Sequence, residues 1–534
     1  MYKKFSRQLS YPITDVFNTI LKETKWPEEW RREYITVIPK VQSPEDFDQL
    51  RNIACTNFLS KVLERFVLSW SREEITPKRN QFGGEKGCGP AHLLIETTNY
   101  ITESLEDNRA AVVATSMDYS KAFNRLNHQS CIESFIRKGA STKIVRILSS
   151  FLMGRTMSVR LGSIRSHPRN VTTGAPQGSV LGAYLFNVGI DTIEDGCQYP
   201  GTRLDTVEHL VHRSDCPAVS TPLRVTTTRR SPSLSPIRED GQEIDLLPRT
   251  ANAPPWLRRP KDPKWVDKPP MNAKFIDDGI HLAKINMRLE RLLYEHGKPI
   301  KCVHDSASQA MFNHIVKEAS TRGMLVNAKK TALMVFSAAT SFEARAILED
   351  DQGNKIHSTD SLKMLGYTYD KEAGPSLHVK IIAQKMRSRS WALAKLKRAE
   401  FTNEELIKTY KVYMRPLVEY LSVLWHPMLS AEQSATLEQQ QTQALRHIYG
   451  YGPSAAKMRS WAGIDLLSKR RETACVKFAK KTVRNPRFQW FKERAPSVYE
   501  RRNMRYNKYE EKLCRTDRHK HSPIQYLTRL LNKE

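Results

Sequence analysis

One apolar stretch restricts the folds that this chain can adopt. Residues 111–117 read Ala-Val-Val-Ala-Thr-Ser-Met, and the polar residues 106–109 precede them. Runs of small and branched apolar residues with this kind of boundary favour a buried strand in the middle of a sheet. The strand is expected to end at Asp118, which would place one carboxylate at the edge of a core.

A second acidic position lies much further along the chain. Residues 273–282 place Asp277 and Asp278 between two short apolar flanks, which is typical of a β-hairpin. Each feature has a structural explanation on its own. An Asp-Asp-Gly sequence suits any turn, and Asp118 could be the N-cap of a helix.

Taken together, the three carboxylates suit nucleotidyl transfer. That reaction uses two divalent metal ions, one to activate the attacking hydroxyl and one to hold the triphosphate and the leaving group. Carboxylates at neighbouring strand ends can converge on such ions because strand ends are rigid.

Charge and composition indicate a polyanionic partner. The 534 residues carry a net charge of +28, and 40% of them are apolar, which is the composition of a folded chain. Residues 451–534 hold 22 Lys and Arg against 8 Asp and Glu, a net of +14. Aromatic residues lie among these basic ones, so single-stranded RNA binding and a helical face over core aromatics are both open interpretations.

One long segment breaks the folded pattern. Residues 197–270 are rich in Ser, Thr, Pro and Arg and poor in aromatic residues, which predicts a disordered or loosely packed insertion. Apolar periodicity predicts helices elsewhere. The expected helices cover residues 12–35, 58–75, 91–106, 129–152 and 375–449.

Several segments, in one fixed order, resemble the motifs of reverse transcriptases, most closely those of non-LTR retrotransposons. The resemblance covers roughly residues 12–450. The segments are Ile38-Pro-Lys40, Leu50-Arg-Asn-Ile53, Met117-Asp-Tyr-Ser-Lys-Ala-Phe-Asn-Arg-Leu-Asn-His128, Gly174-Ala-Pro-Gln-Gly-Ser-Val-Leu-Gly-Ala-Tyr-Leu-Phe186, Phe275-Ile-Asp-Asp278, Asn327-Ala-Lys-Lys-Thr331 and Met364-Leu-Gly-Tyr367.

This resemblance implies an α+β fold, the polymerase right hand with fingers, an antiparallel-sheet palm and a helical thumb. Residues 1–107 would form an N-terminal extension and the fingers, and residues 108–372 the palm that contains the insertion. Residues 373–450 would form a thumb-like helical region, and residues 451–534 a basic C-terminal region. The implied activity is RNA-directed DNA synthesis on an RNA template with a DNA primer and dNTPs.

The resemblance also assigns roles to residues. Asp118, Asp277 and Asp278 would bind two Mg²⁺ ions, with Mn²⁺ as an alternative. Lys330 would protonate the leaving pyrophosphate, and Lys329 is the competing candidate for that role.

Five further positions would bind the incoming nucleotide. Phe123 would exclude a ribose 2′-hydroxyl by its bulk. Gln177 and Gly178 would line the nucleotide pocket, where glycine allows close backbone approach. Lys40 and Arg51 would hold the triphosphate.

Three positions depart from the family pattern. Asn124 replaces a second Asp that does not bind metal, Asn52 replaces the usual Pro, and the insertion before Asp277 is far longer than the usual link. The insertion leaves a decayed reverse-transcriptase-like protein that only binds RNA as one alternative. An RNA-dependent RNA polymerase, which shares the palm, is another. With no signal peptide or membrane span in the sequence, we expect an intracellular protein, nuclear or cytoplasmic, of undetermined oligomeric state.

Overall fold

The computed structural model describes residues 6–107, 110–193, 195, 271–275, 278–286, 292–295, 298–303, 306–337, 343–493 and 507–533. The helices of this part are α1 Ser6–Glu23, α2 Glu28–Arg31, α3 Phe58–Glu74, α4 Pro90–Ser104, α5 Ala122–Arg125, α6 His128–Arg137, α7 Thr142–Leu152, α8 Gly182–Ile190, α9 Ser306–Thr321, α10 Ser376–Arg398, α11 Asn403–Thr409, α12 Arg415–Glu419, α13 Ser422–Trp425, α14 Ala431–Tyr449, α15 Ala455–Ala462, α16 Leu467–Val483, α17 Asp517–Lys520 and α18 Pro523–Lys533.

Within the described residues, the strands form four sheets. They are β1 Arg32–Pro39, β2 Leu50–Cys55, β3 Ala110–Asp118, β4 Arg155–Leu161, β5 Ile164–Arg165, β6 Arg169–Val171, β7 Met271–Phe275, β8 Asp278–Asn286, β9 Leu292–Glu295, β10 Lys298–Val303, β11 Ala332–Ser337, β12 Glu343–Glu349, β13 Lys355–His357, β14 Ser361–Met364 and β15 Tyr367–Asp370.

The central sheet is antiparallel, with strand order β11-β3-β8-β7. Its middle strand β3 is buried on both faces. Val112 and Ala114 belong to one hydrophobic core, together with α4 and the helices that follow β15. Ala111 and Val113 belong to a second core with α6, α7, α8 and α9. Two-sided burial explains why this strand is a continuous apolar run and does not alternate.

A second sheet is built from strands that come before and after β3 in the sequence. Its order is β2-β1-β4-β5, with β6 also paired to β4. Strands β1 and β2 form an antiparallel pair, whereas β1 and β4 run parallel. A buried ion pair joins the two parallel strands, because Arg155 Nη2 lies 2.8 Å from Glu33 Oε2.

Helices after β15 pack against the same core as α4. Helices α10 and α14 lie side by side, and α16 contacts α18. The segment after α16 returns to α4, where Phe488 stacks on His92 with ring centroids 4.4 Å apart. Trp490 donates a hydrogen bond from Nε1 to Glu96 Oε1 at 2.9 Å.

This packing shows which aromatic residues of the basic segment 451–534 belong to the hydrophobic core. Phe488 is buried, and Trp490 and Phe491 are partly buried against the same core, so they are core aromatics. Trp461 differs because half of its surface is exposed (51%) and Lys457 Nζ lies 5.2 Å from its ring centroid. Trp461 is therefore still available for stacking on RNA bases. Tyr499 and Tyr506 lie outside the described residues.

The α+β class and the antiparallel central sheet are confirmed. Two helices differ from expectation. The helix expected over 12–35 ends at Glu23, since Thr24 adopts a left-handed backbone with φ 53° and β1 has begun by Arg32. The helix expected over 129–152 is two helices, separated where Gly139 has φ 81°. The insertion predicted at 197–270 lies outside the described residues.

Three histidines, two of them buried and one partly buried, predict acid sensitivity. Burial lowers the pKa of His92, His378 and His426 to about 4 from an ordinary value of 6.5. The unfolded chain therefore takes up protons between pH 6.5 and 4 that the folded chain does not. Each histidine should lower the free energy of unfolding by about 1.4 kcal/mol for every unit by which the pH falls within that window.

Unfolding temperatures measured between pH 7 and pH 5 check this expectation. His92→Phe keeps a ring between α4 and Phe488 and should make the decline with acid shallower. His521→Gln, at an exposed position, is the matched control and should leave the decline unchanged. An identical pH dependence in wild type and His92→Phe would show that burial of His92 is not responsible.

Candidate active site

The candidate site begins at the end of the central strand. Asp118 is the last residue of β3, and the antiparallel register places it directly opposite Asp278, the first residue of β8. Opposed residues in antiparallel strands have Cα atoms roughly 4.5–5.5 Å apart. The register thus brings two of the three predicted acidic positions to one end of the sheet. Asp277 lies outside the described residues.

The segment after α9 closes over the same strand end. Tyr119 forms an isolated antiparallel bridge with Val326, and the Asn327 N–H donates to the Asp118 carbonyl at 2.7 Å. The turn continues because the N–H of Lys330 donates to the Asn327 carbonyl at 3.0 Å. These backbone hydrogen bonds fix the position of the turn that carries Lys330.

Lys330 is the basic residue that meets Asp118. Its Nζ lies 2.7 Å from Asp118 Oδ2, with the lysine side chain 67% exposed and the aspartate side chain 20% exposed. The carboxylate is thus accessible and has a cation beside it. The sequence left Lys329 and Lys330 as alternatives, and the turn geometry brings Lys330 to the carboxylate.

Phe123 lies beside this strand end on the short helix α5. That helix begins after Lys121, whose backbone is left-handed with φ 51°. The half-buried Phe123 ring stacks on Phe186 of α8, with centroids 4.8 Å apart and planes 20° from parallel. Such stacking holds an aromatic ring in one orientation.

The 174–178 segment is joined to α5 by its backbone. The Ala175 N–H donates to the Phe123 carbonyl at 2.8 Å, and a Cβ on Gly174 would meet that carbonyl oxygen at 2.9 Å. His128 Nε2 lies 2.8 Å from the Gly174 carbonyl oxygen, so it can donate there. Burial lowers the pKa of His128, which keeps the ring neutral.

Gln177 and Gly178 meet the strand β2. The Ala54 N–H donates to the Gln177 carbonyl at 2.8 Å. Gly178 has φ +127°, and a Cβ there would lie 2.6 Å from the Ala54 carbonyl oxygen. The close backbone approach expected of this glycine is therefore an approach to β2.

Lys40 and Arg51 lie on the β1–β2 hairpin. The Lys40 N–H donates to the Gln49 carbonyl at 2.7 Å, and Arg51 pairs with Ile38 across the ladder. Both side chains are exposed. The hairpin reaches the rest of the site through the contact of Ala54 with the 177–178 backbone.

Glu64 is a positioning residue that the sequence did not reveal. This buried carboxylate on α3 accepts hydrogen bonds from the N–H groups of Val180 at 2.6 Å and Leu181 at 3.2 Å. Burial raises the pKa of Glu64, and these two hydrogen bonds counter that rise. The available signal was a charged residue on an otherwise apolar helix face, between Leu63 and Val67.

Part of the chain around this strand end matches a known protein family. Residues 38–200 match the family described as reverse transcriptase (RNA-dependent DNA polymerase). This segment of the chain is therefore similar to reverse transcriptases. The matched segment contains Asp118, Phe123, Gln177 and Gly178, and Asp278 and Lys330 follow it in the sequence.

Curated relatives come from mobile elements. Over 178 residues the chain is 30% identical to the probable RNA-directed DNA polymerase from transposon BS of Drosophila melanogaster, covering 32% of this chain and 19% of that protein. The polymerase from mobile element jockey of the same species is 28% identical over 178 residues, with the same coverage. The Pol polyprotein from type-1 retrotransposable element R2 of Popillia japonica is 25% identical over 170 residues, 31% of this chain and 24% of that protein.

The resemblance to reverse transcriptases of non-LTR retrotransposons is thereby confirmed, and the matched part spans about a fifth of the length of these relatives. Among solved structures, apo telomerase from Candida tropicalis aligns with a TM-score of 0.36 and 11% identity, over 89% of this chain and 68% of that one. Telomerase in complex with the TWJ fragment of telomeric RNA gives 0.35 and 11%, over 86% and 59%. In the described part of the chain, no helix has the length and apolar character needed to cross a membrane.

Proposed function

We propose that this chain is an RNA-directed DNA polymerase that extends a DNA primer on an RNA template. The observation that carries the proposal is the opposition of Asp118 and Asp278 at one strand end, with Lys330 Nζ 2.7 Å from Asp118. In the reaction, the primer 3′-hydroxyl attacks the α-phosphate of a dNTP and pyrophosphate leaves. Asp118 lies inside the segment that matches the reverse transcriptase family, and Asp278 and Lys330 follow that segment in the sequence.

A right-hand organisation fits the chain. We assign residues 1–107 to an N-terminal extension and fingers, 108–372 to the palm, 373–450 to the thumb and 451–534 to a basic C-terminal region. The central sheet supports the palm assignment because its strand end bears the acidic residues. The α10–α14 pair supports the thumb assignment because it packs on the same core as that sheet.

The acidic residues fit divalent metal ions. Oxygen ligands are what Mg²⁺ prefers, and Asp118 offers a carboxylate that is partly accessible and already attracts the exposed Lys330 ammonium. We assign Asp118, Asp277 and Asp278 as the ligands. Two Mg²⁺ ions bound there would activate the 3′-hydroxyl and neutralise the triphosphate.

The remaining residues would orient the nucleotide and move a proton. Lys330 holds its Nζ proton beside Asp118, where it could be donated to the leaving pyrophosphate. Gln177 and Gly178 would form the floor of the nucleotide pocket, held against β2. Lys40 and Arg51 would reach the triphosphate from the exposed β1–β2 hairpin as fixed cations.

Charge supports nucleic acid as the partner. The net charge of +28 favours phosphate contacts, and the exposed Trp461 with Lys457 over its ring suits base stacking beside a cation. The template-primer is therefore expected to lie along the basic helices that follow the palm.

An experiment that varies both the template and the nucleotide tests this function. Purified chain is given a DNA primer on matched RNA and DNA templates, with either dNTPs or rNTPs. RNA-templated incorporation of dNTPs is the expected result. Preferred incorporation of rNTPs would indicate an RNA polymerase, and RNA binding without any incorporation would indicate an RNA-binding protein.

Phe123 offers a sharper prediction. Replacing it with valine removes the ring that stacks on Phe186 and opens space for a ribose 2′-hydroxyl. The ratio of rNTP to dNTP incorporation should rise by about 10- to 200-fold, the range for one added or lost contact in a substrate pocket. Single-nucleotide incorporation kinetics measure this ratio.

The control is Phe66→Val, since Phe66 is an exposed ring on α3 with 59% of its surface accessible. It should leave the ratio at the wild-type value. An unchanged ratio in Phe123→Val would show that this ring does not select the sugar.

A further inference from the structure

Three side chains of metal-ligand type meet far from the carboxylates of the central sheet. Glu106 follows the end of α4, Cys514 lies before α17 and His519 lies within α17. One ligand atom from each of the three lies within 4.8 Å of the other two. In the sequence Cys514 and His519 stand close together, but Glu106 joins them only through the fold.

The spacing of the three atoms suits a single metal ion. In tetrahedral zinc sites, Zn–N and Zn–O distances near 2.0–2.2 Å and Zn–S distances near 2.3 Å leave the ligand atoms roughly 3.3–3.8 Å apart. His519 Nδ1 is now 2.9 Å from Glu106 Oε1, so an ion would need that pair to open slightly. Because the three atoms lie within 4.8 Å of one another, side-chain shifts of up to about 1 Å would bring the set to that spacing.

His519 provides an independent observation. The residue is 1% exposed, and among the described residues neither ring nitrogen makes a hydrogen bond, although Nδ1 faces Glu106 Oε1. Buried polar atoms without a partner are rare, and each one calls for a physical explanation such as an ion or a water. Buried imidazole nitrogens are also the commonest protein ligands for metal ions.

The surroundings hold Glu106 and Cys514 in place. The Arg515 N–H donates to Glu106 Oε1 at 2.6 Å, which orients the carboxylate towards the C-terminal segment. The Cys514 thiol donates to the Lys512 carbonyl at 3.3 Å. Lys512 Nζ in turn lies 3.0 Å from Glu103 on α4, so the segment contacts α4 before the cysteine and Glu106, just beyond α4, after it.

We propose that Glu106, Cys514 and His519 form a Zn²⁺ site that fastens the C-terminal segment to the end of α4. A thiolate, an imidazole and a carboxylate are all zinc ligands, and a water molecule would complete the tetrahedron. On binding, the Cys514 thiol loses its proton to solvent and gives up its hydrogen bond to Lys512. The site would stabilise the packing of α17 and α18 on α4 and take no part in nucleotidyl transfer.

Cobalt spectroscopy on the full chain tests the proposal. Purified metal-free protein without a polyhistidine tag is titrated with Co²⁺, whose thiolate charge-transfer absorption reports a Co–S bond directly. The wild type should develop this absorption, and Zn²⁺ should displace it. Cys514→Ser should lose it, and Glu106→Gln should need at least about tenfold more Co²⁺ because the neutral amide is a poorer ligand.

The controls separate this site from other cysteines and from misfolding. Cys88→Ser removes another partly exposed cysteine and should bind Co²⁺ as the wild type does. Glu106→Gln keeps an oxygen that can accept from Arg515, so its fold is expected to survive. An EDTA-induced fall in unfolding temperature should appear in the wild type and be absent in Cys514→Ser.

Two results would overturn the proposal. One is a wild-type protein that shows no thiolate–cobalt absorption at saturating Co²⁺. The other is an absorption of equal intensity in Cys514→Ser, which would assign the bound ion to different cysteines and leave Glu106 and His519 as a simple ion pair.

Discussion

Asp118→Asn is expected to lower RNA-templated DNA synthesis by at least about a thousandfold, because a metal-binding carboxylate contributes several kcal/mol to stabilising charge in the transition state. Asparagine keeps the shape of the side chain, and the backbone contact between Asn327 and the Asp118 carbonyl is unaffected. The ion pair with Lys330 is mostly solvent-exposed on the lysine side, and such pairs contribute about 0–1 kcal/mol. Primer-extension rates and unfolding temperatures, measured on the same samples, separate lost chemistry from lost fold.

The matched control for Asp118 is Asp351→Asn, in the exposed turn between β12 and β13. It removes one carboxylate from the same chain and should extend primers at the wild-type rate. If Asp118→Asn stays folded and extends within tenfold of wild type, Asp118 does not bind a metal that the reaction needs.

Gly178→Ala should destabilise the protein by about 3 kcal/mol. The φ of +127° is a region that only glycine occupies comfortably, with a cost of about 1–3 kcal/mol for other residues. The added Cβ would also lie 2.6 Å from the Ala54 carbonyl oxygen, so the 177–178 backbone must move away from β2. Denaturant unfolding measures the stability, and the KM for dNTP should rise in the fraction that stays folded.

Gly162→Ala separates backbone strain from the contact with β2. Gly162 also has positive φ, at 60°, but a Cβ there meets nothing within 4 Å. Its expected cost is about 1–2 kcal/mol, the penalty for a left-handed residue alone. Equal losses of stability in the two variants would show that the approach of Gly178 to Ala54 has no energetic consequence.

Local sequence patterns predicted the central elements well. The apolar run 111–117 became β3 because both of its faces are covered, and the flanks of the Asp277–Asp278 pair became β7 and β8. Helix boundaries were less predictable. Gly139 interrupts a continuous apolar pattern by its backbone conformation, and periodicity carries no information about that.

The finer parts of the site depend on contacts between distant segments. Lys329 and Lys330 are chemically identical neighbours, and the folded turn that begins at Asn327 places Lys330 beside Asp118. Glu64 on α3 caps the start of α8, and Glu106 contacts His519, which is distant from it in the sequence. Tertiary contacts of this kind leave almost no pattern in one sequence.

The most direct test of the central claim is extension of oligo(dT) on poly(rA) by the purified wild-type chain with Mg²⁺ and dTTP, beside Asp277→Asn. We expect the wild type to lengthen the primer processively and the variant to bind the same template-primer without lengthening it. Tight binding of the template-primer by both proteins with no extension by either would contradict the polymerase function and leave an RNA-binding protein.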